Sequence, residues 1–288
     1  MRVHLVDGTY ELFRQHFGTA SRHRDSHPHA AAAGVVASTL ALIEDGATHV
    51  GVASDHVIES FRNALYPGYK TGEDMDPDIK EQIPVMERAL AAAGFTVWPM
   101  IEFEADDALG AAARIAGSDQ RVEQVLIVTA DKDLGQCVEG DRIVQFDRRN
   151  RLIIDEAGVT EKFGVGPASI PDYLGLVGDS ADGFPGLPGW GAKSSSAVLA
   201  RYEHLENIPA APGQWDVPGL RGAAKLAATL QAQFDDALLF RQIATLDYDV
   251  EVGSVDDWQW GGPTADFATI CGELDNPELL AYAERLAR

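Results

Sequence analysis

Nine carboxylates follow or flank short apolar runs in the first two-thirds of this chain. They are Asp7, Asp55, Glu104, Asp106, Asp107, Asp131, Asp133, Asp179 and Asp182. Three of the runs, at residues 3–6, 50–53 and 125–128, are β-rich, and an aspartate comes shortly after each. If these runs are neighbouring parallel strands, their carboxyl ends open on one crevice, which is the usual ligand site of an open α/β sheet.

So many like charges in one crevice raise each other's pKa values unless cations lie between them. Hard divalent ions prefer carboxylate oxygens and leave coordination positions to water and substrate phosphates. Two such ions about 4 Å apart would clamp the attacking and leaving oxygens of a displacement at phosphorus. Each cluster alone fits an acid at a helix dipole or a solvated turn. All the clusters together favour a site for two divalent ions.

The composition is that of an ordinary globular chain, with 288 residues, 45% hydrophobic and 24% charged. Cys137 and Cys271 lie far apart and lack the spacing of a disulfide framework or a zinc site, which predicts reduced thiols. The apolar run before Asp7 is too short for a signal peptide, and no run approaches membrane-spanning length. We therefore expect a cytoplasmic monomer with no membrane partner.

The net charge of −22 argues at first against a nucleic-acid partner, because phosphate-binding surfaces are usually basic. The clustered carboxylates carry nine of these negative charges, and residues 247–288 carry a further excess of eight. Divalent ions in the crevice would offset part of the first group. We expect a small electrostatic footprint and short-range attraction to any polyanion.

Residues 1–155 alternate apolar strands with amphipathic or alanine-rich stretches, which is typical of βαβ units. The pattern predicts helices at 10–17, 30–45, 80–93 and 104–116. It predicts one further strand at 95–98. Proline and glycine in residues 61–77 predict an exposed, mobile loop. Strand signals fade after about residue 155. We therefore predict an α/β core at 1–160 and a helical region at 161–288 packed on it.

A glycine- and proline-rich stretch at 183–193 separates the apolar segment 170–177 from the helical segment 194–202. This order predicts a helix-hairpin-helix. Glycines let backbone N–H groups approach phosphate oxygens, and a helix N-terminus favours an anion. A purely structural hairpin is the alternative, but its place directly after Asp179 and Asp182 favours a DNA contact. The candidate DNA-binding residues are Gly186, Gly189, Gly191, Lys193 and Ser194. Backbone carbonyls of such hairpins can also hold a monovalent cation.

In order and spacing these motifs closely resemble the bacterial 5′ nuclease family, which comprises the 5′→3′ exonuclease domain of DNA polymerase I and stand-alone flap endonucleases. The resemblance runs from Asp7 to about Asp249. It is carried by Asp7-Gly8, Asp55, Phe61-Arg62, Tyr66-Pro67, Tyr69-Lys70, Glu104-Ala105-Asp106-Asp107, residues 129–133, residues 178–186 and residues 189–193. It implies a PIN-like (resolvase-like) α/β fold with a mainly parallel sheet, a helical arch at about 67–95, and a helix-hairpin-helix that grips duplex DNA with K⁺.

The resemblance also implies roles for individual residues. Asp55, Glu104 and Asp106, with Asp7 through water, would hold a first metal ion. The second ion would be held by Asp131, Asp133 and Asp179, aided by Asp182 and Asp107. Lys70 at the base of the arch would stabilise charge on the scissile phosphate, and Arg62 would contact a nearby phosphate. Both roles suit preorganised cations in phosphoryl transfer.

The implied activity is that of a structure-selective 5′ nuclease, both flap endonuclease and 5′→3′ exonuclease, with two or more Mg²⁺ or Mn²⁺ ions. Its partners would be DNA with a 5′ flap, a nick or a single-stranded 5′ end, or an RNA/DNA hybrid, in Okazaki fragment processing and repair. Many relatives carry a basic residue after the Tyr-Lys pair, where this chain has Gly72-Glu73-Asp74. We expect a weaker grip on single strands. Gly183-Phe184 replaces the commoner Asn-Ile, which removes no carboxylate. The chain ends without a polymerase segment, which predicts a free-standing enzyme.

Two other functions compete with this one. A DNA junction-binding module with little or no catalytic activity is the alternative that stays open, although the full set of carboxylates and Lys70 argues against it. The stretch Val6-Asp7-Gly8-Thr9 is similar to the strand end of haloacid-dehalogenase phosphatases. Their mechanism needs an aspartate two residues earlier, where this chain has Leu5. The histidines, His23 among them, are not assigned to chemistry.

Overall fold

A six-stranded sheet forms the centre of this computed structural model, which describes residues 1–18 and 27–288; His23 lies outside them. The strands are β1 (Arg2–Asp7), β2 (His49–Asp55), β3 (Thr96–Met100), β4 (Gln124–Val128), β5 (Ile143–Asp147) and β6 (Leu152–Ile154). Their order is β3-β2-β1-β4-β5-β6, parallel except for β6. The three predicted runs lie in β2, β1 and β4, which are adjacent and parallel, so their carboxyl ends share one edge.

Helices cover the sheet and continue beyond it. They are α1 (Gly8–Phe17), α2 (Ala30–Glu44), α3 (Arg62–Leu65), α4 (Pro77–Ala92), α5 (Ala105–Ser118), α6 (Glu156–Phe163), α7 (Ile170–Val177), α8 (Ala192–Tyr202), α9 (Ala223–Ala232), α10 (Phe234–Ala244), α11 (Phe267–Glu273) and α12 (Glu278–Leu286). The predicted core helices are confirmed as α1, α2, α4 and α5, with ends shifted by at most three residues. The predicted fourth strand lies slightly later, as β3. None of the described helices combines the length and apolar character of a membrane span.

Two helices begin at the carboxyl edge of the sheet for reasons that are local. Asp7 caps α1, because its Oδ1 accepts a hydrogen bond from Tyr10 N at 2.8 Å. Gly8 follows because a Cβ there would lie 2.8 Å from the Ala53 carbonyl oxygen of β2. At the start of α5 the Asp107 carboxylate accepts from Glu104 N, and the first turn is acidic, as a helix dipole favours.

The second half of the predicted arch, residues 67–95, differs from the expectation. Helix α4 buries Ile79, Ile83, Met86 and Leu90 in the core beside α2. These positions recur every three or four residues, which is the apolar stripe of a packed helix. Residues 67–76 are left as the connection beside the carboxyl edge, and the arch predicted there stays a prediction to which α4 would not contribute.

The helical region also divides differently from the predicted 161–288 unit. Helices α7 to α10 share one core, whereas the chain after about Leu246 returns to the α/β core. Trp258 is fully buried and packs edge-on against Trp98, with ring centroids 5.4 Å apart. Phe267 of α11 joins the core formed by α2 and α4. Helix α11 packs on α4 and α12 packs on α2, so the C-terminal segment covers apolar parts of these two core helices.

Candidate active site

The predicted carboxylates converge at the carboxyl edge of the sheet. Asp7 ends β1 and Asp55 ends β2, while Asp131 and Asp133 follow β4. The acids of residues 104–107 open α5, and those of 179–182 lie in the connection between α7 and α8. One hydrogen bond ties two of these elements together directly, because Asp55 Oδ1 accepts from the Ala105 N–H at 2.8 Å. Parallel neighbours and helix starts thus bring together residues far apart in sequence.

Three acids of the second predicted group form a ligand cluster. Among the described residues, Asp133, Asp179 and Asp182 each offer a carboxylate oxygen, and these oxygens lie within 4.8 Å of one another. Asp133 is 7% exposed, and its Oδ1 is buried without a hydrogen-bond partner from residues 1–18 or 27–288. Asp131 is exposed and lies next to them, since its Oδ1 accepts from Asp133 N at 3.0 Å. A buried oxygen without a donor is costly, so this cluster fits a hard cation.

The pKa values of the cleft carboxylates agree with that fit. Burial raises the pKa of Asp7 to about 7, and the charges of Asp55 and Asp131 add to the rise. Burial, again with Asp131, raises the pKa values of Asp106 and Asp133 well above the usual range. Carboxylates that are costly to ionise next to one another become stable anions when divalent cations share them. The donor set is all oxygen, as Mg²⁺ and Mn²⁺ prefer.

Lys70 connects the two predicted metal groups. Its Nζ lies 2.9 Å from Glu104 Oε2 and 3.0 Å from Asp182 Oδ1, and its backbone N–H donates to the Asp182 carbonyl at 2.9 Å. Although burial opposes the charge, these two acids hold the pKa of Lys70 well above its usual value. The lysine is therefore a fixed cation at the centre of the cleft. It is in place for an anionic phosphate.

Arg62 does not reach the open cleft, which corrects the expectation of a phosphate contact. Its side chain is 2% exposed and pairs with both oxygens of Asp107, at 2.7 and 2.8 Å. Its other donors go to the carbonyls of Ile243 and Thr245. Asp107 is fully buried and also accepts from the backbone N–H groups of Glu104 and Asp247. This saturated pair joins α3 and α5 to the end of α10, and its geometry fits a structural role better than metal binding for Asp107.

Sequence reasoning gave no role to three further residues of the site. Thr129 donates its hydroxyl to Asp7 Oδ2 at 2.9 Å, and Tyr69 donates to Glu104 Oε2 at 3.1 Å. Lys132 Nζ is in contact with Asp179 Oδ2. The available signal was proximity, because Thr129 and Lys132 belong to the 129–133 motif and Tyr69 precedes Lys70.

The predicted hairpin joins α7 to α8. Gly186 is buried, and a Cβ there would lie 2.4 Å from backbone atoms of Gly178 and Val177, so this glycine serves packing. Gly189 and Gly191 have open space where a Cβ would be. The Ser194 hydroxyl accepts from Gly191 N at 3.0 Å and so caps α8, while Lys193 is exposed. An exposed backbone at a helix N-terminus suits an anion.

Comparison with known proteins decides the family. Residues 2–164 match the family described as 5′-3′ exonuclease, N-terminal resolvase-like domain, and residues 165–266 match 5′-3′ exonuclease, C-terminal SAM fold. The chain belongs to the 5′-3′ exonuclease family. Among curated relatives, DNA polymerase I of Pseudomonas aeruginosa is 34% identical over 260 residues, which cover 86% of this chain and 27% of the relative. The chain thus spans about three tenths of the length of the polymerases it matches.

Solved structures share the fold of this 5′-3′ exonuclease family member. A zinc-bound 5′-exonuclease of bacteriophage T5 has 17% identity and a TM-score of 0.69, with 99% of this chain and 98% of the T5 chain covered. The T5 D15 flap endonuclease, solved as a pseudo-enzyme-product complex with DNA and metal ions, has 18% identity and a TM-score of 0.66, with 99% and 98% covered. At these identities the likeness concerns the fold. The first of these T5 structures holds divalent zinc ions, and the second holds metal ions together with DNA. The present chain has an acidic cluster in its cleft.

Proposed function

We propose that this chain is a structure-selective 5′ nuclease that hydrolyses DNA phosphodiesters at single-strand/duplex junctions, as a flap endonuclease and a 5′→3′ exonuclease. The observation that carries the proposal is the meeting of two carboxylate groups on either side of Lys70. Membership of the 5′-3′ exonuclease family supports it. So does the flap endonuclease fold, which one T5 neighbour displays with DNA.

Two Mg²⁺ or Mn²⁺ ions fit the donor set. Asp55, Glu104 and Asp106, with Asp7 through water, are assigned to the first ion. The second ion is assigned to Asp131, Asp133 and Asp179, with help from Asp182. When bound, such ions lower the pKa of a water and stabilise charge on the oxygens of a displacement at phosphorus.

The chain's own residues supply the remaining functions. Lys70, held between Glu104 and Asp182, would donate to a non-bridging oxygen of the scissile phosphate. The Thr129 hydroxyl and the Tyr10 N–H fix both oxygens of Asp7. Preorganised side chains of this kind lose little entropy on reaching the transition state.

We propose that duplex DNA is held through the hairpin between α7 and α8. The helix start around Gly189 and Gly191, with Lys193 and Ser194, would contact backbone phosphates, and carbonyls of the hairpin would hold K⁺. The substrates would be 5′ flaps, nicks and single-stranded 5′ ends, including RNA/DNA hybrids, in Okazaki fragment processing and repair. We propose that the chain acts as a monomer in the cytoplasm.

The test is digestion of a 5′-labelled flap duplex in Mg²⁺, in Mn²⁺ and in EDTA. The wild-type chain should release the flap only with a divalent ion, and Asp131→Asn should lose cleavage. The matched control is Asp141→Asn, because Asp141 is also exposed but precedes β5, at the opposite edge of the sheet. Metal-independent cleavage would reject the mechanism. Flap binding without cleavage under every condition would leave a DNA junction-binding module.

A further inference from the structure

The turn between β5 and β6 concentrates positive charge in a strongly acidic chain. Its four residues are Arg148, Arg149, Asn150 and Arg151, here called the arginine turn. The chain as a whole has a net charge of −22. Because a phosphate backbone is bound mainly through cations, a polyanion substrate needs some such surface outside the carboxylate cleft.

The arginine turn lies at the same edge of the sheet as the cleft. Gln145 of β5 is paired in parallel with Ile127 of β4, and continuing this register sets Asp147 opposite Thr129, whose hydroxyl binds Asp7. The Gln145 side chain donates to the Asp131 carbonyl at 2.5 Å. The turn that follows Asp147 therefore borders the cleft on its β5 side.

Two of its arginines have no acidic partner in the part of the chain that the structure describes. The nearest acid along the chain, Asp147, already accepts from Asn150, through its backbone N–H at 3.1 Å and its side-chain amide at 2.7 Å. Arg149 and Arg151 are exposed and form no salt bridge with any acid of residues 1–18 or 27–288. Arg151 also adopts a φ of +52°, a left-handed backbone conformation that is uncommon for residues other than glycine.

The third arginine carries an unused donor. Arg148 has a side chain 17% exposed, and its Nη1 is buried without a hydrogen-bond partner among the described residues, 3.8 Å from Glu11 Oε2. Glu11 is already engaged, since it accepts from Arg14 and from the Ser38 hydroxyl. Burial, together with the like charge of Arg14, lowers the pKa of Arg148. An additional anion near these two guanidinium groups would relieve that cost.

Neighbouring residues indicate that the turn projects from the molecule. Leu152 and Ile153 of β6 are 52% and 51% exposed. Successive strand residues point to opposite faces of a sheet, so both faces of the β5–β6 hairpin are exposed at Leu152 and Ile153. The projecting β5–β6 hairpin is therefore accessible to a long rigid ligand such as a DNA duplex.

We propose that the arginine turn is a second phosphate contact, which binds the sugar–phosphate backbone of DNA beside the cleft independently of the hairpin between α7 and α8. This inference rests on the proposed function for its ligand, a phosphodiester strand. The contact is independent of base sequence, because guanidinium groups bind phosphate oxygens. This contact would let a chain with a net charge of −22 bind a polyanion, because the cations of the arginine turn lie beside the cleft where the DNA strand must pass.

The test is the salt dependence of flap-duplex binding, followed by fluorescence anisotropy with Ca²⁺ in place of Mg²⁺. The perturbation is Arg149→Gln with Arg151→Asn, since asparagine tolerates the left-handed conformation. Each lost phosphate contact reduces the slope of log K against log salt by about 0.9, so the double variant should lose nearly two units of slope. Between about 50 and 200 mM salt, wild-type affinity should then fall roughly tenfold more than that of the variant.

Two controls separate charge from folding. Arg2→Gln removes an exposed arginine at the opposite edge of the sheet and should leave the slope unchanged. Arg149→Lys with Arg151→Lys keeps the charge and should restore it. Parallel slopes for wild type and the double Gln/Asn variant would overturn the inference. A wild-type chain that binds but never cleaves a flap would overturn the proposed function, yet the slopes could still be compared.

Discussion

Asp7 is the residue at which protonation, stability and ion binding meet. Its carboxyl is 5% exposed, and burial raises its pKa from 3.8 to about 7. The folded chain therefore holds this proton more tightly than the unfolded chain does. In the absence of divalent ions, the contribution of Asp7 to the free energy of unfolding must decrease as pH rises between these two pKa values. A carboxylate in a salt bridge would give the opposite sign.

Asp7→Asn isolates this contribution. Asparagine can still accept from Tyr10 N through its Oδ1, and its amide can donate to the Thr129 hydroxyl. The variant loses the titration and the charge of residue 7, and losing that charge also relieves a repulsion that raises the pKa of Asp106, which changes the difference in the same direction. One pKa unit corresponds to about 1.36 kcal/mol, and Asp7 in the folded chain is already half ionised at pH 7, so between about pH 5 and pH 7 the free energy of unfolding of the variant should rise by roughly 2 kcal/mol relative to that of the wild type. Taking the difference cancels buried His4, whose pKa burial lowers to about 4 and whose contribution has the opposite sign.

The assay is urea unfolding of both chains in EDTA over this pH range, repeated with Mg²⁺ at about pH 8. Mg²⁺ should stabilise the wild type more than the variant, because binding of the ion to the carboxylate stabilises its charged form. Asp141→Asn, an exposed aspartate, serves as the control and should show no such trend. A difference that stays within about 0.5 kcal/mol, the usual scatter of surface substitutions, or one that moves in favour of the wild type, would refute the reasoning.

Three further outcomes follow from the contacts. Lys70→Ala should lower single-turnover flap cleavage about 100- to 1000-fold, because it removes the cation fixed in the cleft; an unchanged rate would exclude that role. Arg62→Met should lower the unfolding free energy by about 3–5 kcal/mol, since Asp107 stays buried and charged, and Asp107→Leu should recover part of the loss. Chemical denaturation measures the free energy of unfolding with Arg62→Met alone and with Asp107→Leu added. An Arg62→Met chain that is fully stable but impaired in cleavage would contradict the structural role of Arg62. Gly186→Ala should cost about 3 kcal/mol and Gly189→Ala about 1, because only the first meets backbone atoms; equal melting temperatures would contradict this.

Local sequence was sufficient for much of the fold. Alternating apolar runs and amphipathic stretches predicted β1, β2 and β4 as parallel neighbours, because both signals come from the periodicity of strands and helices. The carboxylates could be predicted to converge for the same reason: each follows a strand or opens a helix at one edge of the sheet. The tight connection between α7 and α8 was likewise visible in its glycines and prolines.

Tertiary packing decided the rest. The family resemblance implied that Arg62 would contact a phosphate, but the Asp107 carboxylate and two distant carbonyls hold it inside the protein. The burial of α4, which would keep it out of the predicted arch, depends on an apolar face of α2 that is remote in sequence. The arginine turn matters only because the register of β5 brings it to the cleft. Periodicity is a property of the chain itself, whereas the partner of a charge is set by which distant segments the fold makes neighbours.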